Sequence, residues 1–122
     1  MDTITGLILF GHGARDPRWR EPFDRLAAAV AERYSGPVSL AFLEMMSPDL
    51  QAACLRAVER GAGRIVVVPL FLGTGGHVRR DLPALLESAS DVVGVPVTAA
   101  GAVGEDSQVL AALAGYCLRC VN

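Results

Sequence analysis

The chain has 122 residues, 52% apolar and 20% charged; that fits one globular domain over residues 1–122 and excludes a disordered tract. A net charge of −2 argues against a nucleic-acid partner held by bulk positive charge. No apolar run nears the roughly 18 residues of a membrane span, no signal peptide is legible, and three cysteines do not suggest a disulfide framework. The expectation is a cytoplasmic protein with no membrane partner.

Residues 5–11 read as a strand buried on both faces, a short apolar run closed by glycine. Pro17 and its neighbours then mark a loop. Residues 21–34 read as a helix, with Phe23, Leu26, Ala27, Val30 and Tyr34 on one apolar stripe, and Gly36 as a cap. Residues 38–43 are the second strand, with Glu44 at its exit. Ser47 as N-cap and Pro48 in the first helical position open a second helix. Leu50, Ala53, Cys54, Ala57 and Val58 mark its buried side, and Gly61 to Gly63 stop it. Residues 64–72 are the third and most apolar strand. A glycine loop through His77 follows, and Asp81 opens a helix to about Ser88, with Pro83 in its first turn and Leu82, Leu85 and Leu86 inward. Residues 95–100 form a weaker strand, placed at an edge because Pro96 is tolerated there. Residues 105–119 form the last helix. Strand followed by helix, four times, predicts an α/β fold: an open four-stranded parallel sheet with helices on both faces.

In such sheets ligands bind beyond the carboxyl ends of the strands. The two histidines of the chain, His12 and His77, follow the first and third strands, and Glu44 follows the second. Two imidazoles and a carboxylate suit a divalent transition metal, without choosing among cobalt, nickel, iron and zinc. The plainer alternative is two loop histidines bonded to backbone. Glu44 reads as a proton acceptor or ligand, or simply as a charge ending a strand. Gly73 to Gly76 match neither the P-loop nor the dinucleotide fingerprint; Gly75 and Gly76 read as letting the backbone bend closely round a flat or bulky ligand, with turn chemistry as the competitor. All eleven basic residues are arginine. Genome composition explains that most simply, but Arg15, Arg18, Arg20, Arg79 and Arg80 flank the histidines, a pattern that fits a substrate with several carboxylates. Cys117 and Cys120 have redox spacing but lie at the wrong end of a helix for a stabilised thiolate.

Leu7-Ile-Leu-Phe-Gly-His12-Gly-Ala-Arg15-Asp, Ala41-Phe-Leu-Glu44 with Pro48 after it, Gly61-Ala-Gly-Arg-Ile-Val-Val-Val-Pro69-Leu-Phe-Leu, and Gly76-His77-Val-Arg-Arg-Asp81-Leu-Pro83 resemble, in order, the CbiX/SirB-like sirohydrochlorin chelatases. The likeness covers about residues 5–88. Two departures stand out: Gly-Ala-Arg after the first histidine, where Gly-Ser-Arg is familiar, and a more flexible loop before His77. The resemblance implies a flavodoxin-like chelatase half-domain that inserts a divalent metal, cobalt favoured and nickel or iron possible, into sirohydrochlorin or a related tetrapyrrole. His12 and His77 would bind the metal, with Glu44 assisting as base or ligand. Arg15, Arg79 and Arg80 would grip the ring's carboxylates, and Gly75 and Gly76 would line the cleft. It implies a homodimer with the site between copies, and no organic cofactor. The rival readings are a non-catalytic carrier of metal or tetrapyrrole with the same fold, and a flavodoxin-like module for a phosphorylated ligand.

Overall fold

The computed structural model describes residues 3–73 and 75–121, with His77 described by its backbone alone. Four parallel strands, β1 (Thr5–Gly11), β2 (Val38–Phe42), β3 (Arg64–Pro69) and β4 (Val97–Ala99), lie in the order β2-β1-β3-β4. The first strand in sequence therefore occupies the centre, with Leu9 opposite Leu40 on one side and Val68 on the other. β4 is an edge, as Pro96 before it requires.

Four helices connect or follow these strands: α1 (Glu21–Arg33), α2 (Leu50–Glu59), α3 (Gly76–Val93) and α4 (Ser107–Arg119). Right-handed crossovers decide where each one lies. The chain steps one way from β1 to β2, which puts α1 on one face. It steps the other way from β2 to β3 and from β3 to β4, which puts α2 and α3 on the opposite face. The packing follows this division. Ile8, Phe10, Ala41, Ile65, Val67 and Val97 meet α2 and α3 through Leu50, Ala53, Cys54, Ala57 and Ala89. On the other face Leu9, Leu40 and Phe42 meet Phe23, Ala27 and Val30 of α1 and the Trp19 ring. Phe10 is fully enclosed, so its truncation to alanine carries the about 3–5 kcal/mol cost of a buried aromatic.

Several boundaries differ from the sequence reading. β3 ends at Pro69, not at residue 72, and β4 is confined to Val97–Ala99. α2 starts at Leu50 and is capped by Asp49, whose carboxylate accepts from the Ala52 N–H at 2.9 Å; Ser47 and Pro48 lie ahead of the helix. α3 begins at Gly76 and runs to Val93, so His77, Arg79 and Arg80 stand in its first turns and Pro83 lies within it. Leu26 and Leu85, assigned inward by periodicity, are exposed, each bordering a surface groove. Among the described residues no helix is long and apolar enough to cross a membrane.

Candidate functional site

The carboxyl ends of β1, β2 and β3 form the edge that carries the candidate residues. β1 and β2 continue their pairing past the last strand residues: the Leu43 N–H donates to the Gly11 carbonyl at 3.0 Å, and the Glu44 N–H to the His12 carbonyl at 3.1 Å. This backbone clasp brings the two side chains together. His12 Nε2 lies 3.2 Å from Glu44 Oε1, and each side chain is about half exposed, at 49% and 52%. Gly13 makes the approach possible. Its φ is +96°, and a Cβ there would come within 1.8 Å of the Glu44 carbonyl oxygen, so only glycine fits without moving the loop.

Two neighbours, Phe71 and Arg20, hold this arrangement. Phe71 stands edge-on to the His12 ring, with centroids 6.2 Å apart, and edge-on to Phe10 at 6.1 Å. Arg20 reaches across from the end of the 3-10 turn Pro17–Arg20. Its Nη1 donates to the Ser47 carbonyl at 2.7 Å, and its guanidinium lies 5.0 Å from the Phe42 ring centroid. Arg20 thereby pins the segment that follows Glu44. The signal for Phe71 was available: an aromatic residue two positions past β3, at the strand end beside His12. Nothing in the sequence pairs Arg20 with Ser47, because that bond spans 27 residues and targets a backbone atom.

His77 is the second residue of α3, and the helix starts from the loop that leaves β3. The predicted ligand role of its side chain lies outside the described residues. Arg15, Arg79 and Arg80 are exposed. Arg79 and Arg80 sit in the opening turns of α3, whose first turn contains no acidic residue. Cations there oppose the helix dipole, which leaves their charge available to an anion. Gly75 caps α3 with φ −67°, and an added Cβ at Gly73, Gly75 or Gly76 would meet nothing within 4 Å. Neither backbone conformation nor packing inside the chain demands glycine at these three positions.

A shallow groove of about 270 Å³ opens at the same edge, lined in part by Phe71, Arg79, Leu82, Ala100 and Glu105. His12 and Glu44 do not line it and are each half exposed, so one chain offers an open ledge rather than a closed pocket at this pair. Among the described residues no group of three or more His, Cys, Asp or Glu is placed to hold a metal ion; His12 and Glu44 form a pair. Cys54 lies in the core, where burial pushes its thiol up to about 11. Cys117 and Cys120 are exposed and unbridged.

The CbiX family model matches residues 6–116. The sirohydrochlorin cobaltochelatase of Methanocaldococcus jannaschii is 43% identical over 89 residues, covering 72% of this chain and 62% of the relative. The matched stretch spans less than two thirds of the length of such curated relatives. Among solved structures, one described as a cobalamin (vitamin B12) biosynthesis CbiX protein from Marinobacter aquaeolei superposes with a TM-score of 0.87 at 32% identity, covering 96% of this chain and 97% of that one. The sirohydrochlorin chelatase SirB from Bacillus subtilis subspecies spizizenii, in complex with cobalt, gives 0.74 at 25% identity, covering 85% of this chain and 45% of SirB. The chain belongs to the CbiX family.

Proposed function

We propose that this protein is a metal chelatase that inserts a divalent ion, cobalt foremost, into sirohydrochlorin or a closely related tetrapyrrole, acting in the cytoplasm as a homodimer. The observation that carries this reading is the His12–Glu44 pair. Two donors, each about 2.1 Å from one metal ion at an angle of about 90–109°, lie about 3.0–3.4 Å apart; the 3.2 Å between Nε2 and Oε1 falls inside that range. The same two groups can accept protons, and the reaction releases two from the pyrrole nitrogens.

The metal is a substrate here, so its site must be accessible. Half exposure of both side chains suits an ion that arrives, sheds water and leaves in the ring. His12 with Glu44, joined by His77 from the start of α3, holds the ion above the macrocycle, which supplies proximity and orientation. The glycines at 73, 75 and 76, unneeded for packing, allow the flat ring to approach the backbone. Arg15, Arg79 and Arg80 engage its peripheral carboxylates through forked hydrogen bonds. The open ledge supports a dimer, because a second copy can close the cleft. The 45% of SirB that this chain covers is in keeping with one copy standing for half of a longer chelatase. Relatives solved with cobalt and with Fe3+ support a transition metal as cargo.

The test is absorbance-monitored insertion of cobalt, nickel and ferrous iron into sirohydrochlorin against a protein-free control. Acceleration supports the chelatase. A spectral shift on binding with no acceleration selects the carrier.

A further inference from the structure

His12 leaves β1, so the exits of β2 and β3 flank it on either side. Those two strands lie about 10 Å apart across β1. Met45 stands beyond the exit of β2 and is 56% exposed; Leu72 stands beyond the exit of β3 and is 66% exposed. Exposed apolar side chains scattered singly are ordinary. These two are set apart by their position astride the His12–Glu44 pair and by the backbone that presents them.

Met45 is held from both sides. Glu44 before it is clasped to the His12 carbonyl. After it, Met46 packs against the core on the α1 side, and the Pro48 carbonyl accepts from the Phe42 N–H at 2.9 Å. Between these anchors Met45 has a φ of +65°, the one positive value at a non-glycine among the described residues. That conformation strains a residue with a long side chain. It persists where the surroundings over-determine it, and such residues gather at ligand clamps. Leu72 is held in a comparable way. The Leu70 N–H donates to the Phe10 carbonyl at 2.8 Å, and the Phe71 carbonyl accepts from the Gly104 N–H at 3.0 Å. Gly104 approaches so closely that an added Cβ would strike the Leu72 carbonyl. Both apolar side chains are thus left in water on anchored backbone.

We propose that Met45 and Leu72 are substrate contacts, two apolar side chains that take the apolar surface of the macrocycle while His12 and Glu44 take the ion. This rests on the chelatase reading and adds residues that bind the ring itself. Removing a side chain of this size fully from water is worth roughly a ten- to hundredfold in affinity. Methionine suits a surface that grips a ring and later releases it, because its unbranched thioether repacks readily. The strain at Met45 accompanies this role: the same segment with glycine would relax the backbone and lose the contact.

The test is the dissociation constant of metal-free sirohydrochlorin, read by absorbance on the full chain, beside cobalt-insertion kinetics, melting curves and molar mass by light scattering. Met45→Ser and Leu72→Ser should each weaken ring binding at least tenfold and raise KM for the ring, with kcat held within about twofold. Met45→Leu should bind the ring within about twofold of wild type, because it keeps the apolar bulk. Met45→Gly should bind the ring as poorly as Met45→Ser yet melt at or above the wild-type temperature, since glycine accepts φ +65° without strain; a side chain kept for stability would give the opposite shift. Unchanged ring binding in both serine variants would overturn the proposal and leave the chelatase standing. So would a collapse of kcat in Met45→Leu, which makes the thioether a metal ligand, or a fall in molar mass in the serine variants, which makes these side chains subunit contacts. Ring binding that depends on both residues without metal insertion would count against the chelatase and leave the ring contacts standing. No ring binding by wild type would overturn both.

Discussion

Glu44 is tied to His12 twice, by its backbone N–H to the His12 carbonyl at 3.1 Å and by its carboxylate to the imidazole at 3.2 Å. The backbone bond sets the position and the side-chain pair supplies the chemistry, so the two can be separated by mutation. Glu44→Gln keeps the backbone bond. A half-exposed side-chain contact of this kind contributes about 0–1 kcal/mol, so thermal unfolding should move by no more than a few degrees. Turnover should fall by about 10²–10⁴-fold if the carboxylate takes protons from the ring. Steady-state rates beside a melting curve check both halves.

Gly13→Ala should do the reverse and break the fold of the loop. An L-residue at φ +96° is strained, and its Cβ would strike the Glu44 carbonyl oxygen. The expected loss is at least about 2 kcal/mol, read by denaturant titration, with activity falling because the Glu44 backbone must move.

Gly76→Ala separates ligand from fold. A Cβ at Gly76 meets nothing within 4 Å, and the residue opens α3. Stability should hold or rise by up to about 1 kcal/mol, as helix propensity favours alanine. Insertion of metal should nonetheless slow at least tenfold under the proposal that the ring approaches this backbone. Unchanged kinetics would remove the glycine run from the substrate site.

Cys54 gives a pH signature. Its folded thiol is raised from 9.0 to about 11 by burial. The protonated form is therefore favoured by folding, and its contribution is fully present below pH 9 and lost as pH rises towards 11. The stability advantage of wild type over Cys54→Ala should be constant from pH 7 to just below 9 and shrink above that, as urea titrations at several pH values would record.

The sheet was legible because its signals are local. The runs Leu7–Phe10 and Ile65–Val68 are apolar without interruption, and Gly11 closes the first. Pro96 marked the edge by removing a donor. The start of α3 was not legible, because Gly75 and Gly76 read as loop while a helix N-cap tolerates glycine, and Pro83 reads as a first-turn residue though it stands farther in. Periodicity also overreached at Leu26 and Leu85, since a stripe gives a direction and not its width. In the site, His12 and Glu44 could be placed at one edge from strand order alone. Their contact depends on Gly13 and on a clasp between β1 and β2 that only the register reveals.

The proposed function requires that the histidines at this edge carry a metal into a tetrapyrrole. Cobalt insertion into sirohydrochlorin, followed by absorbance for wild type, His12→Ala and His77→Ala beside a protein-free control, tests it most directly. Wild type should accelerate insertion and both variants should fall to near the control rate, with all three folded. Full activity in both histidine variants would contradict it.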